Sequence, residues 1–218
     1  MKPIIPSFKD SLLQDSSSLV RDYAEIGIDS VLNEGILKDF PIIGTIVGMS
    51  KTVQNIRDRN LLKNLYIFIK EINSGKVDKS KLGEYKERLD KDKKFAEKEL
   101  GRVLILLDRY IDDDKTIILA KLFKAYINGR IIWNEFIEYS EIVEKILLLD
   151  IVLLKKAANK EIDKTTPENR FRFERLSSLG LIYLSDKLMF TFEELEMTDK
   201  YVAVTIFGEK FVEIINII

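Results

Sequence analysis

The chain has 218 residues, of which 46% are hydrophobic and 33% are charged, and its net charge is −1. This balance predicts a packed core under a strongly solvated surface, and gives no overall attraction to nucleic acid or anionic lipid. The absence of Cys and His excludes disulfides, thiolate nucleophiles, Cys/His zinc sites and histidine general bases. No segment has the roughly 18 apolar residues of a membrane span or the pattern of a secretory signal. We therefore expect a cytoplasmic protein without cofactors.

Apolar periodicity predicts a succession of helices along most of the chain. The predicted helices cover residues 16–35, 41–56, 60–73, 95–110, 112–127, 133–143 and 147–158. Residues 76–99 are rich in Lys, Asp and Glu, which is typical of a solvated helix face with ion pairs. The nearly unbroken apolar run over residues 147–154 predicts a buried helix, because a surface helix would alternate its faces.

Two glycines, Gly44 and Gly48, lie four residues apart in the segment that begins at Pro41. Small residues at this spacing let a second backbone approach closely, as they do in membrane helix pairs. Charged residues follow soon after, at Lys51 and Arg57, so we predict that both glycines are buried where another helix crosses. The alternative is that residues 41–49 contact a membrane or form an oligomer contact.

The segment from residue 165 to residue 179 predicts a capped helix. Thr165 or Thr166 can cap it, Pro167 suits its first position, and Gly180 ends it. Its inward side carries Phe173, Leu176 and Leu179. Its outward side carries three arginines, Arg170, Arg172 and Arg175.

Two apolar, aromatic runs at residues 181–184 and 201–204 predict a pair of strands joined by a polar segment. Thr205 then caps a closing helix. The order helix, strand, turn, strand, helix is that of a winged helix with a β-hairpin wing. We therefore predict a mainly α-helical protein, with a helical bundle over residues 1–139 and a winged-helix-like domain over residues 140–218.

The three arginines form the candidate partner-binding surface, because Arg makes bidentate contacts with phosphate or carboxylate. The predicted wing opposes DNA binding, since its acidic residues would face the phosphate backbone. These residues are Glu193, Glu194, Glu196 and Asp199. Winged helices also serve as protein-interaction modules, so a protein is the favoured partner and DNA the alternative. A third interpretation is that the arginines only pair with neighbouring acids such as Glu168 and Glu174.

No catalytic motif is present. The acidic cluster at residues 112–114 and the Asn128-Gly129 turn lack the ligand spacing of a calcium loop. The chain also has no glycine-rich phosphate loop, nucleophile elbow or metal motif. We predict that it is not an enzyme, and no small-molecule substrate is evident.

Residues 112–156 combine an acidic cap, the sequence Ala-Lys-Leu-Phe-Lys-Ala-Tyr and the segment Leu-Leu-Leu-Asp-Ile-Val-Leu-Leu. Followed by the winged-helix end, this layout resembles the bacterial abortive infection alpha group and related uncharacterised proteins of prophages and mobile elements. The stretches at residues 41–44 and 56–59 resemble another recurring piece of such proteins. The resemblance implies a role in phage–host conflict, and it offers no catalytic residues to carry over.

We therefore predict a non-enzymatic phage-defence protein that acts through a macromolecular partner by means of its winged helix. The alternative is a DNA-binding transcriptional regulator. The pattern leaves open whether the chain forms a homo-oligomer.

Overall fold

The computed structural model describes residues 4–13, 41–49, 56–74, 77–185 and 200–216. They form helices α1 (Ile4–Leu13), α2 (Pro41–Met49), α3 (Ile56–Asn73), α4 (Lys79–Lys91), α5 (Lys93–Arg109), α6 (Asp113–Ile127), α7 (Trp133–Lys145), α8 (Leu148–Ala158) and α9 (Arg170–Ser178), strands β1 (Ile182–Ser185) and β2 (Tyr201–Val204), and helix α10 (Ile206–Asn216). The protein is thus mainly helical, with a two-stranded antiparallel sheet near the C-terminus. The predicted helix over residues 16–35 and the polar segment 186–199 lie outside the described residues.

The chain divides into two compact units, Met1–Ser140 (unit 1) and Glu141–Ile218 (unit 2). The domain boundary predicted from the sequence lies between residues 139 and 140, one residue earlier. Among the helices described here, none is both long enough and apolar enough to cross a membrane.

Helices α3 and α6 pack against each other in unit 1, and α1, α4 and α5 surround them. A series of buried aromatic rings runs through this core. The ring of Phe68 lies 6.2 Å from that of Phe8 and 5.6 Å from that of Phe123, and Phe123 lies 5.5 Å from Phe136. All four rings are fully buried. Tilted and edge-on ring pairs at these distances contribute to stability beyond the area that they bury.

The charge-rich stretch around residue 90 is two helices rather than one. Asp92 separates α4 from α5, and its carboxylate accepts the backbone N–H of Phe95 at 3.0 Å. Asp78 caps α4 in the same way, accepting the N–H groups of Ser80 and Lys81. Each cap satisfies donors that the first turn of a helix leaves without a partner.

One buried cation ties the end of α3 to α6. The ammonium of Lys124 donates to the carbonyl oxygen of Glu71 at 2.9 Å, to its carboxylate at 2.5 Å and to the hydroxyl of Ser74 at 3.2 Å. The Lys124 side chain is only 7% exposed. It therefore places a positive charge at the negative end of the α3 dipole, where cations are stabilising.

Helix α2 contacts α1, and its residues Ile42 and Ile43 are fully buried. The hydroxyl oxygen of Ser11 accepts the Ile42 N–H at 3.0 Å and so caps the start of α2. Gly44 is exposed, which differs from the burial predicted for it. Successive helix residues are about 100° apart, so burying residues 42 and 43 turns residue 44 away from that side. The surroundings of Gly48 lie outside the described residues.

Helix α8 in unit 2 is only partly buried, contrary to the prediction from its apolar run. Ile151 and Leu154 are buried, whereas Leu149 is 64% exposed and Val152 is 52% exposed. The two exposed residues are three positions apart and therefore share one face of the helix. Continuous hydrophobicity here means that both sides of α8 are apolar, and only one of them is covered.

The sheet of unit 2 is a short antiparallel ladder in which Ile182 pairs with Val204 and Ser185 with Tyr201. An isolated bridge between Lys164 and Tyr201 adds the segment before α9 to the other edge of β2. The backbone N–H of Val202 donates to the carbonyl of Asp163 at 2.9 Å. Strand β2 therefore lies between β1, which follows α9 in the chain, and the segment at residues 163–164, which precedes it.

The ends of α9 and α10 are set by specific residues. Helix α9 begins at Arg170, three residues after the predicted start, because Asn169 accepts the Thr166 N–H at 2.7 Å in a preceding turn. It ends at Ser178, and Gly180, with φ of 73°, turns the chain two residues later, as predicted. Thr205 accepts the N–H of Gly208 at 2.9 Å, which confirms the predicted cap of the last helix.

Candidate functional site

Helix α9 carries the three arginines that the sequence singled out, and the structure separates them into two groups. The guanidinium of Arg170 donates to Glu174 at 3.0 Å, one turn along the same helix. The guanidinium groups of Arg172 and Arg175 instead donate to Asp150, which lies in the first turn of α8. Two of the arginines therefore meet at one carboxylate, and the third has a partner of its own.

Asp150 is held by both side chains. Arg175 donates from Nε to Oδ2 and from Nη2 to Oδ1, each at 2.9 Å, in a bidentate pair, and Arg172 donates from Nη1 to Oδ1 at 3.3 Å. The Asp150 side chain is only 2% exposed. A buried carboxylate is tolerated when it is paired and hydrogen-bonded in this way. The hydrogen bond to Asp150 in turn raises the pKa of the Arg175 guanidinium, so Arg175 remains positively charged.

An exposed aromatic ring lies beside this pair. Phe171 is 50% exposed, and its ring centroid is 5.3 Å from the guanidinium carbon of Arg172 and 5.0 Å from that of Arg175. Cations at such distances are attracted to the negative face of an aromatic ring. We call Phe171, Arg172, Arg175 and Asp150 the α9 cluster.

The charges on and around α9 cancel, although the α9 cluster by itself keeps a single net positive charge. Arg170, Arg172 and Arg175 are matched in number by Glu168, Glu174 and Asp150. Unit 2 as a whole carries 11 basic and 14 acidic residues, a net charge of −3. The surface thus offers two localised guanidinium groups rather than the extended positive field that a row of phosphates requires.

Sequence reasoning found the three arginines but missed their two neighbours in the cluster. Asp150 had a usable signal, because it is the one charged residue in the apolar run over residues 147–154. Phe171 had none, since an isolated aromatic residue on a helix usually belongs to the core. The predicted acidic wing lies outside the described residues, so its position relative to the arginines is not defined.

Unit 1 contains a separate buried polar cluster. Glu99, which is 3% exposed, accepts hydrogen bonds from the hydroxyl of Tyr85 at 3.0 Å and from that of Tyr126 at 2.6 Å. Burial raises the pKa of Glu99, although both tyrosine hydrogen bonds oppose this change. The three residues belong to α4, α5 and α6, so the cluster joins these helices. With so little exposed surface, the Glu99 carboxyl is an internal contact of unit 1.

An open pocket of about 400 Å³ lies between α1, α4 and α5. Ile5, Leu89 and Ala96 are among its apolar lining residues, and its polar lining residues are two lysines and two carboxylates. Lys9 and Asp90 from this set form an ion pair. The pocket is large enough for a small molecule, but its balanced charges favour no ligand class. Within the described ranges, no group of acidic side chains is arranged to hold a metal ion.

Comparison with family models, curated proteins and solved structures finds no match for this chain. Function is therefore inferred from the chain's own residues, and the α9 cluster is the strongest candidate site.

Proposed function

We propose that unit 2 is a protein-interaction module and that the chain acts through a protein partner, without catalysis. The observation that carries this proposal is the half-exposed ring of Phe171, which lies beside two arginines that are hydrogen-bonded to Asp150. Aromatic residues and arginine are enriched at the centres of protein interfaces.

The exposed apolar face of α8 supports the same proposal. Leu149 adjoins Asp150 in the chain, and Val152 lies one turn further along the helix. Both side chains are more than half exposed. Exposed apolar residues concentrated on one element are characteristic of surfaces that bind other proteins.

We further propose that unit 2 has the winged-helix arrangement. The order α8, α9, β1, β2, α10 supports this, together with the bridge from Lys164 to β2. In that arrangement α9 occupies the position of the recognition helix. A biological role in phage defence is also proposed, and its support is the resemblance to the abortive infection alpha group rather than any feature of the geometry.

DNA binding is the second candidate function, and the three arginines on α9 are the reason to test it. The alternative makes a distinct prediction. A gel shift on the DNA upstream of the gene at low salt would show a complex whose affinity falls steeply as salt rises. The balanced charges around the α9 cluster lead us to expect no such complex.

Photo-crosslinking in the host tests the interaction surface directly. A benzophenone amino acid at position 171 should give a protein adduct under ultraviolet light, and the adduct should disappear in an Arg172→Ala background. The control is the same amino acid at Glu209, an exposed position on α10. Absence of an adduct at 171 would refute the surface, and a nuclease-sensitive adduct would favour the DNA alternative.

Phage plating tests the proposed setting. Cells carrying the gene should plate at least one phage of a broad panel less efficiently than cells with the empty vector. Equal plating across the whole panel would remove the phage-defence proposal and leave the interaction surface untouched.

A further inference from the structure

The two arginines of the α9 cluster already bind a carboxylate within the chain. Two guanidinium groups converge on the carboxylate of Asp150, with the bidentate geometry that Arg and carboxylate prefer. The contact is made by side-chain N–H groups of the two arginines. A surface built on these two side chains is therefore matched to carboxylate oxygens.

Asp150 leaves much of the donor capacity of the pair unused. Each guanidinium has five N–H donors, of which Arg175 gives two to Asp150 and Arg172 gives one. The side chains of Arg172 and Arg175 are 29% and 39% exposed, so the remaining N–H groups have access to a second oxyanion. The two cations and one anion also leave a single net positive charge, which one additional carboxylate would neutralise.

Asp150 also immobilises the two arginines before any partner arrives. Arg is a flexible side chain that loses rotamer freedom when it binds, so a guanidinium that is already held by Asp150 loses less of that freedom on binding a partner. Because Asp150 is buried in α8, it fixes both guanidinium groups against the surface of unit 2. Phe171 lies against the same groups, so an apolar contact surface adjoins the anion-binding one.

We propose that the α9 cluster is a docking site for an acidic segment of a partner protein. An aspartate or glutamate of that segment binds the guanidinium edges that Asp150 leaves free, and an apolar side chain next to it packs on Phe171. This inference rests on the proposed function and specifies its partner. A single added carboxylate suits the charge of the cluster, whereas DNA would bring a series of phosphates close to Glu168 and Glu174.

The test uses the full chain and a short synthetic peptide that alternates Asp with Leu and Phe. Binding is followed through the Nε–H signals of Arg172 and Arg175 by NMR, and the affinity by fluorescence anisotropy. The acidic peptide should shift both signals saturably. The same peptide with Asn in place of Asp should not. Equal binding of the Asn peptide would overturn the proposal, because it would reduce the site to an apolar surface.

Substitutions at position 172 distinguish bidentate hydrogen bonding by the guanidinium from the effect of positive charge alone. Arg172→Ala should weaken peptide binding about tenfold, and Arg172→Lys should recover little of that loss, because Lys lacks the planar fork. Phe171→Ala should weaken it as well. Lys156→Ala removes an exposed charge from α8 and should change the affinity less than about threefold. The Arg175–Asp150 pair remains in all of these variants, and far-UV circular dichroism confirms their fold.

Three further outcomes would overturn the inference. The first is an equal effect of Arg172→Ala and Lys156→Ala, which would indicate charge without a site. The second is inorganic phosphate alone shifting the arginine signals as strongly as the peptide does. The third is tighter binding of a random DNA duplex with a steep salt dependence. If crosslinking at position 171 yields a protein adduct while the peptide fails to bind, the interaction module stands and only the partner class is wrong.

Discussion

Replacing Gly208 by alanine is expected to destabilise unit 2 by about 3 kcal/mol. Gly208 is buried in the first turn of α10, and a Cβ there would lie 2.1 Å from the carbonyl oxygen of Leu181 and 3.0 Å from a methyl carbon of Val204. The obstructing atom belongs to the backbone and cannot swing aside. Accommodating the methyl group therefore requires the start of α10 to move away from Leu181, the residue before β1.

Three contributions set the magnitude. Overpacking at a buried site costs about 1–3 kcal/mol. The Leu181 carbonyl accepts the N–H of Thr205 at 3.0 Å, and weakening this bond adds about 0.5–1.5 kcal/mol, whereas the Thr205 hydroxyl donates at 2.8 Å to the carbonyl of Gly180. The higher helix propensity of Ala returns about 1 kcal/mol. Overpacking lies at the upper end of its range here because the obstructing atom is a backbone oxygen, so the balance is a loss of about 3 kcal/mol in the free energy of unfolding.

Hydrogen exchange of the amides in residues 206–216, measured by mass spectrometry, reports this loss locally. Their exchange should accelerate on the order of 100-fold. Gly83→Ala is the matched control, because Gly83 is exposed within α4 and an added Cβ would meet no atom within 4 Å. That substitution should stabilise unit 1 by about 1 kcal/mol. A Gly208→Ala protein as stable as the parent would refute the close approach of α10 to the Leu181 carbonyl.

Asp150→Ala should lower the free energy of unfolding by about 1–3 kcal/mol because two guanidinium groups lose their acceptor, whereas Glu174→Ala should cost less than about 1 kcal/mol in the same urea titration. Lys160, with φ of 61° after α8, should give about 1 kcal/mol of added stability when changed to Gly and none when changed to Ala, as thermal unfolding would show. Burial raises the pKa of Glu99 above its ordinary value of 4.5, so the folded state retains a proton there that the unfolded state releases. Relative to Glu99→Gln, the wild-type protein should therefore lose stability as the pH rises from 4.5 toward that raised pKa, and a flat difference between their urea midpoints would contradict this.

Local chemistry made unit 2 the more predictable part of the chain. The end of α9 depends on the positive φ of Gly180, and the start of α10 depends on the hydroxyl of Thr205. Each feature requires only one residue, so each can be predicted from the sequence. The start of α9 is harder to predict from the sequence, because Asn169 and Thr166 form a turn that competes with helix initiation at Pro167. Such a choice between two local hydrogen-bond patterns is decided by the surrounding structure.

Long-range pairing explains what the sequence could not provide. Arg172 and Arg175 were identifiable as a charged helix face, but their partner lies 22 and 25 residues away on another helix. Glu99 resembles one more acid in a charge-rich stretch, and only the folded structure brings Tyr85 of α4 and Tyr126 of α6 to its carboxylate. The burial of Gly44 was expected from spacing alone, and spacing does not reveal which face of a helix meets a neighbour.

Lys124 gives unit 1 a built-in chemical reporter. Its amine is enclosed by Glu71 and Ser74, so an acylating reagent in solution cannot reach it while α3 and α6 stay together. An exposed lysine such as Lys86 on α4 reacts at the ordinary rate and calibrates the reagent. The ratio of the two labelling rates therefore measures how often the helices separate. A ligand or partner that loosens or tightens unit 1 would register at this one amine, even before its binding site is known.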